Sequence, residues 1–151
     1  MSAFVSSMEI DRAPADVFAY VTDPARFSEW QDDVVSVRMD GEGPPGCGTR
    51  FTTIRRIGPA NRTMSQEITE SIPPSRWAVR GIDGPLRPSM EIVVEPLDGA
   101  ARSRVTFALD FEGRGVGDLL VPMVRRMAAK GAPASYRKLK TRLEASGPAH
   151  P

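Results

Sequence analysis

Hydrophobic and polar residues alternate along much of the chain, a pattern typical of β-strands with one buried face. The first run is Phe4–Ile10, and turn segments rich in glycine, proline and aspartate separate six later runs. Short links between strands favour antiparallel pairing, so the pattern predicts an antiparallel sheet of about seven strands. The six later strands are Val34–Met39, Thr49–Ile57, Arg62–Ile72, Arg76–Ile82, Pro88–Val94 and Ser103–Phe111.

The alternation also predicts which side chains face the interior of the protein. Polar residues on this face are informative, because burying a polar group without a partner costs about 1–3 kcal/mol. Arg55 and Gln66 are such residues, which makes them candidates for contacts with a ligand. The predicted inward residues are Val35, Val37, Met39, Phe51, Thr53, Arg55, Ile57, Met64, Gln66, Ile68, Trp77, Val79, Met90, Ile92, Val94, Val105, Phe107, Leu109 and Phe111.

Helical segments flank the strands. Pro14 near a helix start predicts a short helix up to Val21, and the pair Asp23-Pro24 predicts a second short helix that ends at Trp30. Helix-forming residues dominate 117–145, which predicts a long helix that covers the apolar face of the sheet. Around and beyond Pro133, the apolar stripe of this helix is predicted to consist of Ala132, Tyr136, Leu139 and Leu143.

Length and composition indicate one ordinary globular domain. The chain has 151 residues, and we expect a single domain at 3–145 followed by a flexible tail at 146–151. Twenty Lys and Arg against nineteen Asp and Glu give a net charge of +1, which argues against nucleic-acid binding. No apolar run is long enough for stable membrane insertion, and no secretory signal is evident. A single cysteine, Cys47, favours the cytoplasm.

The distribution of histidine narrows the possible chemistry. The only histidine is His150, beside the last residue, so histidine-dependent nucleophilic schemes and the usual zinc and iron sites are excluded. We therefore expect no metal and no cofactor. Any catalysis must depend on carboxylates, arginine, tyrosine, serine or threonine.

The order of one strand, two short helices, six strands and a long helix is the helix-grip arrangement of α+β proteins. Four segments carry a further resemblance: Ile10–Phe18, Asp23–Trp30, Gly48–Phe51 and Leu139–Glu144. With them the sequence resembles the START-like (SRPBCC) superfamily and, within it, the polyketide cyclase/dehydrase family. The resemblance implies a curved seven-stranded sheet wrapped around the C-terminal helix, with a cavity for a hydrophobic or amphipathic small molecule. It leaves activity open, because such folds host carriers, receptors and enzymes.

Aromatic and methionine side chains on the inward face are the predicted lining of this cavity. For each of them the alternative is a place in a dry, fully packed core. The candidate ligand-binding residues are Trp30, Phe51, Arg55, Gln66, Trp77, Met90, Ile92, Phe107, Leu109, Met123 and Met127.

The sequence is compatible with three functions. The leading hypothesis is binding of a hydrophobic or aromatic, lipid- or polyketide-like molecule by a monomer or homodimer. The second is a cyclase or dehydratase in which Arg55 stabilises an enolate, assisted by a phenol such as Tyr136, with Tyr20 as another candidate. The alternative for Arg55 is an ion pair with Glu70 or a solvent-exposed guanidinium, and a one-residue register error would exchange Arg55 with Arg56.

The third hypothesis is a protein-interaction module that docks through the C-terminal helix. From Arg114 to Glu144 there are eight basic and two acidic residues, a net charge of +6. An acidic partner or anionic lipid head groups would suit this charge, and a solvated outer face is the alternative.

Overall fold

A computed structural model describes residues 4–146. Seven antiparallel strands form one sheet, as predicted, and three α-helices pack on it. The predicted tail at 146–151 lies outside the described residues, except for Ser146, which ends the last helix. The strands are β1 (Phe4–Ile10), β2 (Val34–Asp40), β3 (Arg50–Ile57), β4 (Ala60–Ile72), β5 (Arg76–Gly81), β6 (Leu86–Leu97) and β7 (Arg102–Gly113).

The helices lie on one side of the sheet. Helix α1 spans Pro14–Val21, and a 3₁₀ turn at Pro24–Arg26 leads directly into α2, Phe27–Trp30. The side chain of Asp23 caps that 3₁₀ turn, as the Asp-Pro pair predicted. Helix α3, Val121–Ser146, begins four residues later than predicted, because a separate 3₁₀ helix at Gly115–Leu119 precedes it. No helix within residues 4–146 is long and apolar enough to cross a membrane.

The strands lie in the order β1-β7-β6-β5-β4-β3-β2, so only β1 and β7 are distant in sequence among the paired neighbours. Strands β2 and β1 form the two edges of the sheet. The C-terminal half of α3 packs over the sheet, where Ala132, Tyr136, Leu139 and Leu143 are buried as predicted.

Burial confirms the predicted inward face at most positions. Phe51, Thr53 and Ile57 alternate correctly on β3, and the partner strand β4 buries Met64, Gln66 and Ile68. Strand β2 is the exception, because Val35 was predicted to face inward but is 53% exposed while Val34 is buried. An irregularity in the β2–β3 pairing between Val34 and Ser36 shifts the alternation by one residue.

The buried apolar residues form two clusters. The larger cluster contains Trp30, Phe107 and the C-terminal half of α3. The smaller one joins Ile57, Met64 and Leu86 to Val121 and Val124 at the beginning of α3. The interior of the protein is therefore packed at both ends of α3.

Candidate ligand-binding cavity

A cavity of about 250 Å³ lies between the sheet and the middle of α3. Its walls contain members of both apolar clusters, Trp30 and Tyr136 from the larger and Ile57 and Val124 from the smaller. The volume is close to the ~300 Å³ at the lower end of small-molecule sites. The lining comprises Phe27, Trp30, Gln31, Asp32, Asp33, Arg55, Arg56, Ile57, Gln66, Trp77, Val79, Pro88, Met90, Leu109, Phe111, Val124, Met127, Ala128, Gly131, Ala132, Ala134, Ser135 and Tyr136.

The space exists because α3 presents small side chains to the sheet at this level. Ala128, Gly131, Ala132 and Ser135 line the cavity and fall at helical spacings of three or four residues. A β-carbon added at Gly131 would meet no atom within 4 Å outside its own helical backbone. Larger residues at these positions would fill the gap between helix and sheet.

Aromatic rings form one wall of the cavity. Phe27 meets Trp30 and Trp77 edge to face, with ring centroids 6.0 and 6.2 Å apart. Tyr136 stacks on Phe107 with the centroids 4.4 Å apart. Rings held in this way offer a rigid apolar surface on which another aromatic molecule can stack.

One polar pair is buried in the cavity wall. The amide nitrogen of Gln66 donates a hydrogen bond to the hydroxyl oxygen of Thr53 at 2.9 Å, and both residues are buried. The pair joins β3 to β4, where the two side chains share the inward face. This bond fixes the orientation of the Gln66 carboxamide, whose oxygen makes no hydrogen bond to another described residue.

The Tyr136 hydroxyl is a further polar group among the lining residues. Within residues 4–146 it has no hydrogen-bond partner, although the ring is buried. Removal from water raises the pKa of this phenol well above its ordinary value of 10.0. At neutral pH it is a protonated hydrogen-bond donor and not a base.

Arg55 and Asp33 form an ion pair at one end of the cavity. The Nη1 atom of Arg55 lies 3.2 and 3.1 Å from the two carboxylate oxygens of Asp33, and the Arg55 side chain is only 15% exposed. This partner is Asp33 and not Glu70, which pairs with Arg76 instead. Arg55 shares the inward face of β3, whereas Arg56 is exposed and borders the cavity from outside.

A second ion pair closes the same end. Asp32 accepts a hydrogen bond from Lys138 of α3, so the segment after α2 is attached to the long helix. The neighbouring Gln31 and Trp30 have buried side-chain nitrogens without a hydrogen-bond partner in the described chain. Asp33 is thus paired with Arg55, and Asp32 is paired with Lys138.

Most of the predicted lining residues do meet at the cavity. Those that line it are Trp30, Arg55, Gln66, Trp77, Met90, Leu109 and Met127, together with the candidate Tyr136. Phe51, Ile92 and Phe107 are instead fully buried in the packed core, the alternative that the sequence left open for each of them.

Met123 and Tyr20 require corrections. Met123 is 37% exposed and lies outside the lining, because the buried side of α3 is centred on Val121 and Val124. The Tyr20 hydroxyl donates to Glu29 at 2.9 Å and does not reach the cavity. Burial and the Glu29 carboxylate raise the pKa of Tyr20 to about 12.

Residues 31–33 and the small residues of α3 line the cavity without having been predicted to do so. Gln31, Asp32 and Asp33 follow α2 in a segment with no periodic pattern. For Gly131 and Ser135 of α3, the small size of the residue was the signal for open space. A run of small residues on the inward face of a covering helix could have indicated the location of the cavity.

Three solved structures resemble this fold over nearly its whole length. A protein from Thermus thermophilus is 18% identical with a TM-score of 0.76, and the match covers 95% of this chain and 98% of that one. Zhui aromatase/cyclase from Streptomyces sp. R1128 is 16% identical with a TM-score of 0.77, covering 97% and 98%. A START superfamily protein from Mycobacterium smegmatis is 13% identical with a TM-score of 0.74, covering 94% and 97%.

At these identities the likeness establishes the helix-grip fold that the sequence predicted. Among curated proteins, none matches this chain. The sequence model of the family described as polyketide cyclase/dehydrase and lipid transport matches residues 1–144 of the 151. The protein therefore belongs to the polyketide cyclase/dehydrase and lipid transport family.

Proposed function

We propose that the protein binds a small, uncharged hydrophobic or aromatic molecule in the cavity between the sheet and α3. The observation that carries this proposal is the cavity of about 250 Å³ with apolar walls and few convergent polar groups. Such a combination is typical of small-molecule sites, in which apolar contact supplies affinity and polar groups fix orientation. A molecule of one to three fused rings suits this volume.

The charge balance of the cavity favours an uncharged ligand. The Arg55 guanidinium is already compensated by Asp33, and Asp32 is compensated by Lys138. A carboxylate entering this space would lose its hydration, and Arg56, the lining cation that forms no ion pair with residues 4–146, is exposed, so burying the carboxylate is costly. Hydroxyl and carbonyl groups fit better, because the Gln66 oxygen accepts a hydrogen bond and the Tyr136 hydroxyl donates one.

A competition titration tests this proposal. The neutral dye Nile red serves as the fluorescent probe, and methylnaphthalene, naphthol and naphthoate compete as matched apolar, hydroxylated and anionic ligands. We expect naphthol to displace the dye at the lowest concentration and naphthoate at the highest. Tightest binding of naphthoate would contradict the uncharged ligand, and absence of dye uptake would contradict ligand binding itself.

Two variants of α3 show whether the dye occupies the cavity. Ala128→Phe places a ring at a partly buried position of the lining and should abolish uptake of Nile red. Ala129→Phe adds the same ring at an exposed position that does not line the cavity, so its dye affinity should equal that of the unaltered protein. Equal loss in both variants would show that the dye binds elsewhere.

A cyclase or dehydratase activity is the second candidate function. The observation in its favour is that Arg55, Asp33 and Tyr136 line one cavity. Such an enzyme would orient a folded ketone chain in a dry space, with Tyr136 donating a hydrogen bond to an enolate oxygen. The test is the rate of cyclisation of a linear poly-β-ketone. Equal rates with the unaltered protein, Arg55→Ala and no protein would exclude this role.

The cytoplasm is the compartment in which we place this function. The single cysteine, Cys47, is free and exposed, which suits a reducing environment. Fractionation of expressing cells checks this expectation, since the protein should appear with cytoplasmic markers.

A further inference from the structure

A cluster of exposed hydrophobic residues surrounds the beginning of α3. Among residues 4–146, seven large hydrophobic side chains are exposed, and four of them lie between positions 116 and 127. Leu119 and Val116 are the most exposed, at 82% and 74%, and Met123 and Met127 are each 37% exposed. Exposed apolar groups that cluster in this way mark an interaction site more often than scattered ones do.

These side chains share one side of the helix with basic residues. Met123, Met127 and Lys130 follow at spacings of four and three, and Arg126 lies between them, three residues after Met123. Leu119 precedes Met123 by four residues at the end of the 3₁₀ helix. We call this surface the outer patch: Val116, Leu119, Met123, Arg126, Met127 and Lys130.

The cations of the outer patch are available for a partner. Arg126 and Lys130 are exposed and form no ion pair with any residue in 4–146, and the same holds for Arg137 further along α3. Arg125, by contrast, is held by Asp110 at 3.0 Å. Asp118 is the only acidic residue in 115–131. The patch thus combines exposed apolar groups with unbalanced positive charge.

We propose that the outer patch docks on the surface of an anionic lipid bilayer. Leu, Met and Val side chains interspersed with cations on one side of a helix fit the interfacial region, where apolar groups enter the acyl boundary and cations meet lipid phosphates. The patch is the outer side of a helix and not a groove, so it offers a protein segment little to enclose it. Met127 also lines the cavity, which places the docked surface beside the interior that takes up a hydrophobic molecule.

Vesicle flotation tests the proposal without any ligand. The protein is mixed with vesicles of phosphatidylcholine containing phosphatidylglycerol, or of phosphatidylcholine alone, at low and high salt. We expect binding to the anionic vesicles, at least tenfold weaker binding to the neutral ones, and a marked loss at high salt. Replacing both cations in Arg126→Glu/Lys130→Glu should weaken binding to anionic vesicles more than tenfold, as should Val116→Ser/Leu119→Ser.

Matched controls separate this surface from a general effect of charge or hydrophobicity. Arg50→Glu/Arg80→Glu changes the net charge equally at exposed positions of the sheet, and Val5→Ser/Val35→Ser removes two other exposed apolar groups. Both controls should keep their affinity for anionic vesicles. Equal losses in patch and control variants would overturn the proposal, as would failure to bind vesicles while an acidic polypeptide such as polyglutamate is bound. Because Nile red uptake is measured separately, either outcome leaves the proposed ligand binding standing.

Discussion

The rings of Phe107 and Tyr136 stack almost in parallel, with centroids 4.4 Å apart and an interplanar angle of 13°. Phe107 belongs to β7 and is fully buried, while Tyr136 belongs to α3 and lines the cavity. The stack therefore attaches the long helix to β7, the strand next to the β1 edge of the sheet, and holds the Tyr136 ring in the wall of the cavity. Tyr136 contributes to stability through its ring and, in the proposed function, to binding through its hydroxyl. Substitutions can separate these two contributions.

Tyr136→Phe should preserve the stack and remove only the hydroxyl. We expect a change in unfolding free energy below about 1 kcal/mol, since that hydroxyl makes no hydrogen bond within residues 4–146. Affinity for naphthol should fall about tenfold, with little change for methylnaphthalene. Urea unfolding and the dye competition measure the two effects. Tyr136→Ala is the contrasting variant and should destabilise by about 3–5 kcal/mol.

Gly131→Ala should stabilise the protein by about 0.5–1 kcal/mol. Alanine is the better helix former, and its methyl group would enter open space. Thermal and urea unfolding check this expectation. A destabilised variant would indicate that the helix and sheet approach each other more closely at this level than the cavity implies.

Gly117→Ala should have the opposite effect. A β-carbon at this position would lie 1.7 Å from the backbone oxygen of Pro85, a distance that forces the chain to move. The 3₁₀ helix at Gly115–Leu119 would have to shift away from the turn before β6, and we expect a loss of about 2 kcal/mol or more. Unfolding curves for Gly117→Ala and Gly131→Ala, recorded together, provide the comparison.

The Gln66–Thr53 hydrogen bond should show energetic coupling. Thr53→Val leaves the Gln66 amide without its acceptor, so we expect a loss of about 1–3 kcal/mol. Replacing both partners in Thr53→Val/Gln66→Leu should recover part of this loss, because no buried amide remains unpaired. A double-mutant cycle from urea unfolding measures the coupling. Strictly additive losses would show that the bond does not stabilise the fold.

Stability should decline at alkaline pH. The chain has two tyrosines, and folding raises the pKa of Tyr20 from 10.0 to about 12 and raises that of Tyr136 as well. The unfolded chain loses these protons first, so their contribution is complete below pH 10 and is lost as the pH rises towards 12. Tyrosinate absorbance should remain low in the native protein at pH 10. Tyr136→Phe should flatten the decline in unfolding free energy.

The sequence predicted the fold well because its signals are local. Alternation of side chains on β3 and β4 depends on residues two apart, and it correctly placed Phe51, Gln66 and Ile68 inside. The prediction failed at Val35, because the bulge beside it depends on pairing with β3 and leaves no mark in the strand itself.

The cavity was harder to predict, because it depends on contacts between distant segments. Arg55 was recognised as an unusual inward residue, but its partner Asp33 lies 22 positions away in a segment without periodic pattern. Met123 was assigned to the cavity lining for its adaptable side chain, although the packing of α3 through Val121 and Val124 leaves it outside.

The pairing of β1 with β7 has a consequence for how the chain acquires its structure. The hydroxyls of Ser7 and Thr106 meet across these strands although they are 99 positions apart in sequence. Most of the chain must be synthesised before β1 can pair with β7, and contacts of such long range slow folding. Strand β1 is therefore expected to remain unpaired during most of translation, which is when a chaperone could bind it.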